Sequence, residues 1–190
     1  MSNKFTEQEH LTILEMKKRI RDGVSKALLP IEKTLRSHLI DTCIVTGGCS
    51  YSSFCFQEPN DWDLLFKDEL SASAFIEWIH NHKEDIMDMV EYNGVVAKGS
   101  KVITSNAVTL KNKVQVIDWK WQRQNFDFIH CMPWYDIKED KYYISIEQYN
   151  AIKNKQLILR DRNTYVPDKK RLTKWLGRGF SMNFKLDALV

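Results

Sequence analysis

The chain has 190 residues, of which 43% are hydrophobic and 28% charged, and its formal net charge is +3. This composition is typical of a globular domain and excludes a low-complexity or collagen-like chain. No apolar run approaches the ~20 residues that span a bilayer, and the first ten residues lack the apolar stretch of a secretory signal. We therefore expect a cytoplasmic protein without a membrane partner, located in the host cytoplasm if a virus encodes it.

Two helices are predicted at the beginning of the chain. Residues 5–29 repeat apolar side chains at spacings of three or four, which indicates one buried stripe of a helix. Thr6 is the expected N-cap, and Glu9 completes a capping box. Pro30 suits the first turn of a second short helix that reaches residue 39. The stripe consists of Ile13, Met16, Ile20, Val24 and Leu28.

A strand, a glycine turn and a second strand are predicted next. The β-branched run 42–46 leads into Gly47 and Gly48, and residues 49–54 can open a short helix. Residues 62–66 form the second strand. Because side chains alternate along a strand, Asp61 and Asp63 share one face, and the apolar Trp62, Leu64 and Phe66 share the other.

The remaining elements alternate between helix and strand. Residues 71–90 are predicted to be helical, 102–121 to form a hairpin, and 126–132 to form a strand. Residues 145–158 and 168–180 are predicted to be helical, and the last helix ends near Gly177 or Gly179. The apolar side of the first of these helices would contain Phe75, Ile76, Ile79, Ile86 and Met89. The hairpin would turn at Lys111, Asn112 and Lys113, although it lacks the usual glycine.

This order of elements predicts an α/β (α+β) fold with a single mixed sheet and flanking helices. We expect N-terminal helices over residues 1–40, packed on a core of residues 41–135. A C-terminal helical extension would cover 136–190, within one compact domain overall. The four cysteines form no CxxC pair, which argues against a zinc site, and as free thiols they fit a reducing compartment.

The acid pair points to metal chemistry. In a regular strand the Cα atoms of Asp61 and Asp63 lie ~6.6–7 Å apart, with both carboxylates on one side. That span suits one bound divalent ion, or two ions ~3.5–4 Å apart. Without a cation the two carboxylates would repel and one pKa would rise. Oxygen ligands alone predict Mg²⁺ or Mn²⁺.

The glycine turn points to phosphate binding. A strand, two glycines and a helix start present bare backbone N–H groups and partial positive charge, both of which suit an anion. Ser50 and its neighbouring serines add hydroxyl donors. A phosphate-binding turn beside a two-acid metal site is an arrangement suited to nucleotide phosphoryl or nucleotidyl transfer.

The stretch GGCSYSSFCFQEPNDWDLLF resembles the signature of the nucleotidyltransferase superfamily, typified by DNA polymerase beta, poly(A) polymerase and the CCA-adding enzymes. That signature has Gly-Gly or Gly-Ser, a spacer of about this length, and acid–apolar–acid in a strand. The matching positions are Gly47, Gly48, Asp61 and Asp63, and Ser50 follows two residues after the glycines. The resemblance covers residues 42–132 and implies a nucleotidyltransferase-like fold, an NTP substrate and Mg²⁺ or Mn²⁺.

The resemblance also implies a third carboxylate on a neighbouring strand, which binds one metal ion and helps to deprotonate the attacking hydroxyl. Gln115 occupies the position where we expect this acid. Asp118 lies on the opposite strand face from Gln115, and Asp127 lies in an apolar run where an unpaired charge would be costly. We predict that Asp127, in preference to Asp118, completes a catalytic and metal-binding set with Asp61 and Asp63. If neither reaches the metal, the enzyme would be weak or inactive.

Several cations are predicted to contact the β- and γ-phosphates. Lys98 and Lys101 flank a Gly-Ser turn before the hairpin, and Lys174 and Arg178 lie in the last helix. The basic stretch 153–180 can also hold an RNA backbone.

The sequence therefore predicts a Mg²⁺-dependent nucleotidyltransferase that transfers a nucleoside monophosphate from an NTP to an acceptor hydroxyl. An RNA 3′ end is favoured, and a protein or small-molecule acceptor stays open. Gln115 motivates an alternative, in which a catalytically degenerate member of the fold binds nucleotide, RNA or a partner protein. A nuclease that uses the same acids would leave the Gly-Gly turn without a role.

Overall fold

The structure is a computed structural model that describes residues 4–81, 90–92, 95–96, 107–117, 119, 126–160, 167 and 169–182. The helices are α1 (Glu7–Leu28), α2 (Lys33–Thr42), α3 (Cys49–Phe54), α4 (Glu69–Asn81), α5 (Ile146–Lys153) and α6 (Lys169–Leu176). The strands are β1 (Cys43–Thr46), β2 (Trp62–Phe66), β3 (Val90–Tyr92), β4 (Val95–Val96), β5 (Ala107–Leu110), β6 (Val114–Ile117), β7 (Trp134–Asp136), β8 (Lys141–Tyr143), β9 (Gln156–Leu157) and β10 (Ser181–Met182). None of the helices in these ranges has the length and apolar character needed to cross a membrane.

An eight-stranded mixed sheet organises the fold, with strand order β4-β3-β5-β6-β2-β1-β7-β8. β2 and β6 pair in parallel, whereas β1 pairs antiparallel with both β2 and β7. A separate two-stranded sheet joins β9 and β10 in parallel. The mixed sheet with flanking helices confirms the predicted fold class.

One face of the sheet forms the main core against the N-terminal helices and α4. The alternation predicted for β2 is confirmed there, because Trp62, Leu64 and Phe66 are all buried in this core. Burying these side chains removes most of their apolar surface from water, which is the main stabilising contribution to the sheet. The opposite face of β2 carries Asp63 and Leu65.

Helix α1 forms as its sequence predicts. The Thr6 side chain accepts the Glu9 N–H and the Glu9 carboxylate accepts the Thr6 N–H, so the capping box is present. Four residues of the predicted stripe are fully buried: Met16, Ile20, Val24 and Leu28. The prediction for Pro30 is wrong. Helix α2 begins at Lys33 because the Glu32 carboxylate accepts the N–H groups of Thr34 and Leu35, which caps the helix after the proline.

Other predictions hold in part. In α4, Phe75 and Ile79 are buried, but Ile76 is 42% exposed and does not belong to the apolar side. Ile86 and Met89 lie outside the described residues. The hairpin of β5 and β6 is confirmed, and it turns without glycine because Asn112 and Lys113 both adopt positive φ angles, 59° and 61°.

The strand predicted over 126–132 is wrong. Phe128 makes one isolated bridge to Leu159, and the following residues form a 3₁₀ turn, Ile129–Cys131. The N–H of Cys131 donates to the Phe128 carbonyl, so the backbone turns here. Before the turn the chain is paired with a distant segment, because the Ile129 N–H donates to the Ile158 carbonyl. The helix predicted over 145–158 ends at Lys153, whereas α6 ends at Leu176, beside Gly177, as the prediction of an end near Gly177 or Gly179 required.

Gly23 allows α1 to lie against the ring of Trp62. A Cβ atom at position 23 would lie 2.5 Å from Trp62 Cζ2, and the ring is buried in the core. We expect Gly23→Ala to destabilise the fold by about 1–2 kcal/mol, because the overpacking outweighs the roughly 1 kcal/mol gain in helix propensity. Urea unfolding measures the change. Ser25→Ala, at an exposed position of the same helix, is the control and should be neutral; a Gly23→Ala variant as stable as the parent would contradict this packing.

Candidate active site

Asp63 lies directly over the backbone of Gly47. Thr46 and Asp63 are paired in the β1–β2 ladder, so the turn after β1 passes beside the Asp63 side chain. Gly47 has a φ of +80°, and a Cβ atom there would overlap Asp63 Oδ2. Only glycine satisfies both the left-handed backbone and the close approach of the carboxylate. The glycine turn and the acid strand therefore form one unit.

The two acids interact electrostatically. Burial and the negative charge of Asp61 raise the pKa of Asp63 to about 7, and the positive charges of Lys174 and Arg171 oppose the rise. Two crowded carboxylates at the end of a strand form a site that attracts a cation. The same carboxylates, with burial as the main cause, raise the pKa of the Cys49 thiol.

Gln115 is the strand neighbour of Asp63. The parallel β2–β6 ladder pairs Asp63 with Gln115, and the β5–β6 ladder pairs Gln115 with Thr109. Paired residues of adjacent strands project from the same face about 4.8 Å apart. The position at which a neighbouring strand would supply a carboxylate beside Asp63 therefore carries a neutral amide.

The glycine turn has specific hydrogen bonds. The Gly47 N–H donates to the Cys131 carbonyl, at 3.1 Å, so this donor is already used. Gly48 has an ordinary φ of −72° and precedes α3. Ser50 is fully buried, and its hydroxyl accepts a hydrogen bond of 3.0 Å from the Tyr142 hydroxyl. A contact of Ser50 with phosphate would have to share or replace that bond.

Asp127 is held in a partly buried ion pair. Its side chain is 1% exposed, and Arg171 Nη1 donates to Oδ2 at 3.0 Å. Oδ1 is buried without a hydrogen-bond partner in the described part of the chain. Burial raises the pKa of the Cys131 thiol to about 12, and the negative charges of Asp63 and Asp127 add to this rise.

Helix α6 brings cations to the acids. Arg171 and Lys174, three residues apart on one side of the helix, both act on Asp63. Arg178 lies further along and stacks over Trp175, with its guanidinium carbon 4.8 Å from the ring centroid. Sequence reasoning identified Lys174 and Arg178 but missed Arg171, although its spacing from Lys174 already placed it on the same helix face.

An aromatic cluster fixes α6 on the core. The rings of Trp175 and Phe180 lie 4.3 Å and 4.6 Å from the ring of His130, which is fully buried. Neither nitrogen of His130 has a hydrogen-bond partner among the described residues. Burial, with the positive charge of Arg178, lowers the pKa of His130 to about 3. A neutral histidine therefore packs between the core and α6.

Three residues of the sequence predictions, Lys98, Lys101 and Asp118, lie outside the described residues. Within the residues that the structure does describe, no three His, Cys, Asp or Glu side chains converge in a group that could hold a metal ion. Asp61, Asp63 and the Gln115 amide oxygen are oxygen donors, which fit a single hard divalent ion such as Mg²⁺. A second ion would need a further carboxylate.

Comparison with known proteins places the chain in a family and a fold. Residues 15–155 match the sequence profile of Gad2, described as Gabija anti-defense 2 family protein. No curated protein matches the sequence.

Two solved structures share the fold. The Thermotoga maritima CCA-adding enzyme complexed with tRNA has a TM-score of 0.53 and 15% identity, covering 87% of this chain and 43% of that one. A CCA-adding enzyme in apo form I has a TM-score of 0.52 and 14% identity, covering 87% of this chain and 44% of that one. The chain thus spans less than half the length of these enzymes. At this identity the likeness shows the nucleotidyltransferase-type fold alone.

The two glycines of the turn should respond differently to substitution by alanine. Gly47→Ala places a side chain on a left-handed backbone and against the Asp63 carboxylate. We therefore expect the free energy of unfolding to fall by about 2 kcal/mol or more. It should also weaken Mn²⁺ binding, because Asp63 must move. Gly48→Ala is the matched control, since its Cβ would lie 3.9 Å from Trp175 at an ordinary φ. Unfolding and Mn²⁺ titration of both variants measure the difference; equal behaviour of the two would contradict the packing of Asp63 on Gly47.

Proposed function

We propose that this chain, which belongs to the Gabija anti-defense 2 family, counteracts Gabija defence as a metal-dependent nucleotidyltransferase. It would transfer a nucleoside monophosphate from an NTP, such as ATP, to an acceptor hydroxyl. The observation that carries the proposal is the unit of Gly47 and Asp63, with Asp61 beside it and the cations of α6 close by.

The residues at this unit have complementary roles in the proposal. Asp61 and Asp63 would hold Mg²⁺ or Mn²⁺, and the amide oxygen of Gln115 lies where it can add a neutral ligand. The bound ion would supply charge neutralisation for the phosphates and for the acceptor oxygen. Gly47, Gly48 and Ser50 remain our predicted contacts for the triphosphate, although the present hydrogen bonds of Gly47 and Ser50 would have to rearrange or be shared.

The α6 cations would stabilise charge as the leaving group departs. The acceptor oxygen forms a bond to the α-phosphorus, and the bond from that phosphorus to the bridging oxygen breaks, which releases pyrophosphate. Lys174, with Arg178, would neutralise the β- and γ-phosphates, and Arg171 is an additional cation at the same place. Lys98 and Lys101 stay predictions for the same contacts.

Asp127 remains our prediction for the third catalytic and metal-binding carboxylate, which accepts the acceptor proton. In that role it would have to share or leave its ion pair with Arg171. A triphosphate at Asp63 would offer Arg171 an alternative anionic partner, and this exchange would release Asp127 toward the acids.

An RNA acceptor is favoured by the charge distribution. Residues 153–182 contain nine Lys or Arg and two Asp or Glu, a net charge of +7. The other 160 residues contain nineteen cations and twenty-three acids, a net charge of −4. A basic segment in an otherwise acidic chain suits a polyanionic backbone. The tRNA bound by one CCA-adding enzyme is compatible with this acceptor class.

A second candidate function follows from Gln115 and from the ion pair of Asp127. If neither position supplies a third carboxylate, the chain would bind a nucleotide at the acid pair without transferring it. Counter-defence would then act through the bound nucleotide, RNA or a partner protein instead of through a product.

We expect Asp61→Asn and Asp63→Asn each to lower transfer by about 100-fold or more, because the charged ligands for the ion are lost. Labelled NTPs, Mg²⁺ and either total RNA or protein acceptors provide the assay, and relief of Gabija-dependent protection in cells provides the biological readout. Glu58→Gln, a surface carboxylate outside the pair, is the control. Transfer that survives both substitutions would contradict the assigned site.

Substitution of Gln115 separates the two candidate functions. If the chain binds NTP without transfer, Gln115→Asp should create or raise transfer at least about tenfold, because it places a carboxylate one strand spacing from Asp63. Gln115→Ala is the control for loss of the amide alone. If Asp127 already acts as the third acid, the wild-type chain is active, Asp127→Asn removes transfer, and Gln115→Asp brings no gain. Single-turnover product analysis distinguishes these results.

A further inference from the structure

A groove of about 570 Å³ lies behind the acid strand, on the side of the sheet that faces α1. We name it the α1 groove, and its lining includes Arg19, Lys26, Phe56, Trp62, Asn112 and Lys113. It is a different place from the candidate active site, because Trp62 projects from the face of β2 opposite to Asp61 and Asp63. Its volume falls in the range of pockets that hold small ligands.

The floor and walls of the groove are fixed by packing. Trp62 is 5% exposed, and Gly23 lets α1 approach its ring. The Asn112 side-chain amide donates to the Ala27 carbonyl at 3.4 Å, which ties the β5–β6 turn to the end of α1. The groove is therefore built from elements that the fold holds in place.

An aromatic platform stands at one side of the groove. Phe56 is 77% exposed, and the guanidinium carbon of Arg19 lies 3.7 Å from its ring centroid. Arg19 is itself held by hydrogen bonds to the Ser53 carbonyl and to Glu15. One face of the ring is thus covered by a fixed cation, and its large exposed area leaves it available for stacking. Stacking on an exposed aromatic ring is a sequence-tolerant way to bind a nucleobase.

Two lysines line the same groove. Lys26 and Lys113 are both exposed, and in the described part of the chain neither amino group makes an ion pair or hydrogen bond. The acids of the lining are Asp22, which pairs with Arg21 at 3.2 Å, and Glu58. Uncommitted ammonium groups beside an aromatic platform suit a ligand that combines a planar ring with an anion.

We propose that the α1 groove is a second binding site, for a nucleoside phosphate, whose base stacks on Phe56 and whose phosphate binds Lys26 and Lys113. The ligand is either a free nucleotide or one residue of a single strand. The site requires no divalent ion, because its contacts come from side-chain cations and an aromatic ring. It is also independent of transfer at Asp61 and Asp63.

The experiment removes the active site first. The Asp61→Asn plus Asp63→Asn variant of the whole chain is titrated in EDTA with AMP by calorimetry and with a fluorescein-labelled oligouridine by anisotropy. We expect binding to persist. In this background Phe56→Ala, and separately Lys26→Ala plus Lys113→Ala, should each lower affinity roughly tenfold or more.

Matched controls come from exposed positions outside the groove. Leu70→Ala and Lys18→Ala should leave the affinity unchanged, and thermal melts confirm that all variants fold. Absence of binding to both probes in EDTA would overturn the proposal, and so would binding that the groove substitutions do not weaken. Loss with the lysine pair but not with Phe56→Ala would overturn it as well, since a base would then not be stacked.

The two probes identify the source of the ligand. An affinity for AMP that equals the affinity for the oligonucleotide supports a free nucleotide, whereas much tighter binding of the oligonucleotide supports a strand. Because the background variant lacks the acid pair, this binding measurement does not depend on the outcome of the transfer assay. Equally, an absence of binding in the groove would leave the outcome of the transfer assay unchanged.

Discussion

The contact of the Asp63 carboxylate with the backbone of Gly47 is the constraint on which the site depends. It requires a residue without Cβ that also tolerates a φ of +80°, and it requires Asp63 to face the turn. The β1–β2 ladder meets both conditions by pairing Thr46 with Asp63. Backbone pairing thus holds the Asp63 carboxylate in a buried place. There burial and the negative charge of Asp61 raise its pKa to about 7.

A carboxylate pair of this kind needs compensating charge, and the chain supplies it from more than a hundred residues away. Helix α6 is attached by two different interactions. The partly buried ion pair of Asp127 with Arg171 holds one side of the helix, and the rings of Trp175 and Phe180 around His130 contribute apolar burial. Removal of Arg171 would leave the buried Asp127 carboxylate without this partner, which is costly. The helix therefore presents Lys174 to the acids in a defined orientation.

Local sequence determined much of what was predicted correctly. The capping box of α1, the alternation of β2 and the end of α6 just before Gly177 all depend on residues within a few positions of one another. Long-range pairing was less accessible. Three-residue strands such as β7 carry too little periodicity to be recognised, and the strand predicted over residues 126–132 is interrupted by the 3₁₀ turn Ile129–Cys131.

The site shows the same difference between local features, which the sequence predicts, and long-range contacts, which it does not. The glycines and the acid pair were visible because they form a contiguous motif, and the register of β6 then put Gln115 where the sequence pattern had expected an acid. The partnership of Asp127 with Arg171 could not be predicted, because it joins residues 44 positions apart. A buried acid within an apolar run indicates that some partner exists, but it does not specify whether that partner is a metal ion or a guanidinium. The division of the chain at residues 40 and 135 stays a prediction.

Strand β2 connects the two faces of the sheet. Asp61 and Asp63 belong to one face and Trp62 to the other, so the acid pair and the floor of the α1 groove share three consecutive residues. The loop that carries Phe56 leads directly into Asp61. A ligand that shifts the backbone of this loop would act on the segment that enters the acid strand, whereas the Trp62 ring can rotate about its own side-chain bonds without moving Asp63. The groove and the acid pair are thus adjacent along the backbone, but they face opposite sides of the strand, so binding in the groove does not require transfer at the acids.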